Sequence, residues 1–200
     1  MNPQLTSAKM FYGKAKDIIL ELSNLALEKN SKFKFSIAMR QFDYILQLAL
    51  IYGAVADNDF KPAEQEFIRD ITEYGSVIGL FNAKMNDIAP ELPDLTWDNL
   101  EPLRKSLSDA GRLAFMNQLT DFVDGIAKDF VKWFAPIDAK DTKINYLNRI
   151  SVLFDEIISL FSLCDGDVER DNTILETDAA RKVKRNVLIN KWKKAVEEAG

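Results

Sequence analysis

The run Tyr44-Ile45-Leu46-Gln47-Leu48-Ala49-Leu50-Ile51-Tyr52 limits what this chain can fold into more than any other feature. It is the second half of a segment with helical spacing, Phe35 to Ala56, and it is apolar on nearly every face. A helix of that kind has no side to give to water, so other elements must enclose it. The rest of the chain offers helices for that task. Leu5 to Lys29 places Met10, Phe11, Ile18, Ile19, Leu22, Leu25 and Ala26 on one broad face. Pro62 opens the next helix, with Glu64 and Glu66 beside its positive N-terminus. That helix runs to about Glu73 or Phe81, and Gly75 and Gly79 loosen its end. Ser108 to Phe134, Ile144 to Leu163 and Asn172 to Glu198 carry the same period. No strand-like alternation of any length occurs. The expected fold is all-α, a single domain over residues 1–200 with six to seven helices. Residues 86–108, with Pro90, Pro93 and Pro102, form an irregular insertion holding one short helix, packed on by Leu95, Trp97 and Leu100. Thirteen phenylalanines read as aromatic anchors between helices.

Composition enters through what it removes. There is no histidine and one cysteine, Cys164. That excludes a Ser-His-Asp triad, a Cys-His dyad, His-ligated zinc or haem, an internal disulfide and a cysteine metal site. No phosphate-cradling glycine motif is present among the eight glycines. Cys164 ends an apolar helix and is expected to be a buried, inert thiol. The chain is therefore expected not to be an enzyme, with a carboxylate–metal hydrolase as the distant alternative. Net charge is −5, from 31 acidic and 26 basic residues, which argues against general nucleic-acid affinity. No apolar run is long enough for a membrane span, and no secretory leader is visible at Met1, so the expected location is the cytoplasm.

Two corners share a pattern: Ala54-Val55-Ala56-Asp57-Asn58-Asp59-Phe60 and Ser162-Leu163-Cys164-Asp165-Gly166-Asp167-Val168. Each follows an apolar helix and reads Asp-(Asn or Gly)-Asp-apolar. One reading is turn chemistry, because Asn and Gly tolerate the left-handed conformation that ends a helix. The other is a hard cation, Ca²⁺ or Mg²⁺, held by Asp57, Asp59, Asp165 and Asp167. From Asp165, oxygen-bearing side chains follow EF-hand spacing through Asp167, Glu169, Asp171, Thr173 and Glu176. Arg170 stands where that loop needs glycine and Asn172 where it needs an apolar residue, so the second corner departs from an EF-hand at two positions, and the first, which would end on Ile68, is not one.

The residues from Ala54 to Ile68, including Asp57-Asn58-Asp59 and Pro62-Ala63-Glu64, resemble the signature of TerB-like (tellurite-resistance B) proteins. The resemblance covers about residues 44–74, and more loosely 157–170, with Asn58 where that family has glycine. It implies an all-helical fold with a pseudo-repeat of helix, acidic turn and helix. It also implies divalent-cation binding and a non-enzymatic role in stress-response or membrane-associated assemblies, with a protein partner or a second copy. Asp57, Asp59, Glu64, Asp165 and Asp167 are the positions that would inherit a role.

Residues 181–194 carry seven basic and no acidic side chains, with Val183, Val187, Leu188, Trp192 and Val196 spaced into one stripe. This last helix either docks by its stripe or presents Lys184, Arg185, Lys191, Lys193 and Lys194 to RNA, an anionic membrane or an acidic protein.

Overall fold

The computed structural model describes residues 2–29, 34–55, 60–88, 94–138 and 145–164. Within them are seven helices and no strand: α1 (Pro3–Lys29), α2 (Phe35–Ala54), α3 (Pro62–Asp70), α4 (Val77–Ile88), α5 (Leu100–Ser106), α6 (Asp109–Ile137) and α7 (Tyr146–Phe161). The all-α expectation holds. None of these helices is long and apolar enough to cross a membrane.

α2 sits in the middle, as its composition requires. Every residue from Ile45 to Ile51 is buried, and α1, α3, α4, α6 and α7 all pack against it. Phe42 is the hub. Its ring meets Tyr12 of α1 at 6.2 Å, Phe130 of α6 at 6.4 Å and Phe154 of α7 at 6.4 Å, centroid to centroid. α1 buries Leu5, Ala8, Tyr12, Ala15, Ile19, Leu22 and Ala26, alternating steps of three and four that keep one seam inward. Asn2 starts that helix by accepting from the Gln4 and Leu5 N–H groups through Oδ1 (2.9 and 3.3 Å), with Pro3 at its first position. Asp138 joins the end of α6 to the start of α7, its carboxylate accepting from the Tyr146 and Leu147 N–H groups at 2.6 and 2.9 Å. Asn145, the turn residue before α7, takes the left-handed conformation (φ 51°) that asparagine tolerates.

Three details differ from the sequence reading. The helix opened by Pro62 ends at Asp70, close to the Glu73 bound and not the Phe81 one, and after a break at Ile71–Ser76 a separate helix, α4, begins at Val77. This split gives seven helices where six were expected over the same residues. Its cause lies in α2. The fully buried Asp43 carboxylate accepts from the Tyr74 and Gly75 N–H groups (2.6 and 2.8 Å) and from the Tyr12 hydroxyl (2.8 Å). One turn on, Gln47 Oε1 accepts from the Val77 N–H at 2.7 Å, and its Nε2 donates to Thr72 Oγ1 at 2.6 Å. The backbone must open at 71–76 to supply those donors. It also passes so close to α2 that a Cβ on Gly75 would lie 3.1 Å from the Arg40 carbonyl oxygen. Second, residues 86–88, expected in the irregular insertion, belong to α4, which runs to Ile88. Leu95 and Leu100 are buried as expected, and Asn82 pins Leu95 by both its N–H (2.7 Å) and its C=O (2.9 Å). Third, Leu113 in the first half of α6 does not join the core although its spacing places it on the apolar face. Phe115 and Phe122 reach Phe81 of α4 (6.0 and 6.2 Å), but Leu113 is 63% exposed.

Burial pushes the Asp43 carboxyl above its ordinary value of 3.8, even though the Tyr12, Tyr74 and Gly75 donors favour the charged form. The folded protein thus holds that proton more tightly than the unfolded chain. The stability tied to it is complete below 3.8 and is lost as pH rises through the higher folded value. Asp43→Asn removes this titration, so its stability relative to wild type should rise with pH above 3.8 in urea unfolding. A difference constant between pH 3 and 7 would contradict the assignment. Asp43→Ala, which strands three donors, should cost roughly 3 kcal/mol or more.

Candidate functional site

The four expected metal ligands, Asp57, Asp59, Asp165 and Asp167, lie outside the described residues, as do Lys184, Arg185, Lys191, Lys193 and Lys194. The helices that deliver the two acidic corners are described. α2 and α7 run parallel: Phe42 meets Phe154, and further along both helices Gly53 meets Phe161. A Cβ built on Gly53 would lie 3.7 Å from the Phe161 ring, an ordinary van der Waals distance, so the two last turns are neighbours there. Phe67 of α3 closes the contact, its ring 5.3 Å from Phe161 and near-perpendicular to it. The chain thus enters Asp57 and Asp165 from neighbouring helix ends.

The electrostatics of those ends have one sign. A helix C-terminus carries about half a negative charge, which a basic residue in the last turn ordinarily offsets. Neither α2 nor α7 has a basic residue in its last turn. The α7 end is tied down by neutral groups: Asn2 Nδ2 donates to the Cys164 carbonyl at 3.2 Å, and the Cys164 thiol is buried.

The far side of the first corner is also fixed. Phe60 is buried, and its N–H points at Glu101 Oε1 of α5, 3.5 Å away. Glu101 is held by a two-pronged ion pair with Arg104, Nε to Oε2 at 2.6 Å and a terminal guanidinium nitrogen to Oε1 at 2.8 Å. Burial would push the Glu101 carboxyl up, but hydrogen bonds and charge from Arg104, helped by Lys105, hold it below the usual carboxylate range. Glu64 is buried too. Its Oε2 accepts from the Lys61 N–H at 2.9 Å, so this side chain caps the start of α3. Sequence reasoning missed the Glu101–Arg104 pair. The signal was present, since opposite charges three apart on a short helix between apolar residues can be buried only as a pair.

Among the described residues no group of three or more His, Cys, Asp or Glu side chains is arranged to hold a metal ion. The chain matches no family model, no curated protein and no solved structure.

A buried ion pair is costly to break from one side. Arg104→Met should therefore destabilise the protein by about 3–5 kcal/mol in urea unfolding, because it strands the Glu101 carboxylate. The double variant Glu101→Leu/Arg104→Met should recover most of that loss. Equal losses in the single and double variants would mean that the pair does not act as a unit.

Proposed function

We propose that this chain is a non-catalytic, TerB-like helical binding protein whose two acidic corners share one divalent cation and present it, or the surface it orders, to a partner. The observation that carries this reading is the pair of parallel, adjacent C-termini of α2 and α7, neither offset by a basic residue in its last turn. Each leads within four residues of its last contact, Gly53 or Phe161, into an Asp-x-Asp sequence. Carboxylates and helix ends then add negative potential at one place, which favours a cation. With no histidine in the chain and Cys164 turned inward, the donors are oxygens, which suits Ca²⁺ or Mg²⁺. The buried Glu64 and Glu101 serve as structural carboxylates that stiffen the first corner rather than as ligands.

A cation that binds the folded state raises its stability by mass action. Millimolar Ca²⁺ should raise the melting temperature, and the rise should vanish in both Asp57→Asn and Asp165→Asn if the corners share one ion. Loss in only one variant would show a site at a single corner. No heat on calorimetric titration with Ca²⁺ or Mg²⁺ would remove the cation from the account.

A further inference from the structure

A cleft of about 460 Å³ lies in the groove between α1 and α7, toward the start of α7 and away from the helix ends described above. That size is within the range of small-molecule sites. Ile18, Val152 and Leu153 give it an apolar lining, and Lys14, Asp17, Glu21, Asn148 and Arg149 surround them. Val152 is 53% exposed on a helix that otherwise buries its apolar residues well.

The charges of this cleft do not satisfy one another. Two cations and two anions line it, yet among the described residues none of the four makes an ion pair within 4.0 Å. Each cation rests on an aromatic ring instead, Lys14 over Phe11 at 5.3 Å and Arg149 over Tyr146 at 5.8 Å. Glu21 accepts a hydrogen bond from the Tyr146 hydroxyl. Exposed cation–π contacts are weak enough to yield to a better partner.

This pattern selects among ligands. A simple anion drawn to Lys14 and Arg149 meets Asp17 and Glu21. A simple cation meets the reverse. A neutral apolar molecule would strip water from four charges and return nothing to them. A ligand with both charges close together and an apolar body satisfies all three parts. We propose that the α1–α7 cleft binds a small apolar zwitterion of the α-amino-acid class. Its carboxylate lies between Lys14 and Arg149, its ammonium group on Asp17, and its side chain over Ile18, Val152 and Leu153. The Asn148 amide adds a donor and an acceptor at the rim.

The test is a ¹H–¹⁵N titration of the full chain with L-leucine, beside L-leucinamide, which lacks the carboxylate, and isocaproate, which lacks the ammonium. Saturable shifts confined to residues 14–21 and 148–153 are expected with leucine. Removing either charge from the ligand, or introducing Asp17→Asn or Arg149→Gln, should weaken binding by about tenfold or more, since each loses a charge-assisted contact. Both substitutions are at the surface, so unchanged dispersion elsewhere in the spectrum confirms folding. Shifts that do not saturate up to the solubility limit of leucine would overturn the proposal. So would leucinamide or isocaproate binding as tightly as leucine, or undiminished binding in both variants. None of these outcomes depends on added Ca²⁺ or Mg²⁺, so they separate this site from the acidic corners.

Discussion

The enclosure of α2 organises the molecule. A helix buried from Ile45 to Ile51 on every side needs neighbours all round, and five helices supply them. Burial on that scale is favourable for Phe42, Leu46 or Ile51, at roughly 1.5–3 kcal/mol for each large apolar side chain. It is unfavourable for Asp43 and Gln47 unless each polar atom finds a partner. Their partners come from the α3–α4 connection, whose N–H groups at Tyr74, Gly75 and Val77 are free of helix bonds and turn toward α2. One helix therefore sets both the apolar core and the course of the chain around it. The Tyr12 hydroxyl extends the same network to α1 and accepts from the Glu73 N–H at 3.2 Å.

That interplay decides what was legible in the sequence. The all-helical fold, the central place of α2 and the anchoring role of phenylalanine follow from period and composition, because they depend on which residues avoid water. The break between α3 and α4 follows only in part, through the end at about Glu73 that Gly75 marks. Its local sequence, Ile71 to Ser76, has one glycine and no proline, and the force that opens it acts across space from Asp43. A carboxylate and an amide one turn apart inside an apolar helix do announce that some other backbone must come to meet them, but not which. Leu113 fails in the opposite direction, since helical spacing marks a residue as apolar-faced without saying whether a neighbour reaches it. The nearness of Gly53 and Phe161 is likewise a tertiary fact.

Charge is arranged differently at the two ends of α7. Near its start, Arg149 lies across a cleft from Lys14, Asp17 and Glu21 of α1, and none of the four forms an ion pair with another. At its finish, the α7 C-terminus lies beside that of α2 with no basic residue in either last turn. The first arrangement suits a ligand that brings both signs, and the second suits a bare cation. Buried charges elsewhere are closed systems: Glu101 with Arg104, and Asp43 with its three donors. The contrast matters because self-satisfied charges serve the fold, whereas charges left open are available to something outside it.

The central claim is that the parallel ends of α2 and α7 bring two acidic corners to one cation. Crystals of the full chain grown with Mn²⁺ in place of Ca²⁺ or Mg²⁺ test it most directly through an anomalous difference map. The account predicts one strong peak ligated by carboxylates from both corners, Asp57 or Asp59 on one side and Asp165 or Asp167 on the other. A map with no peak there, or with manganese held by one corner alone, would contradict it.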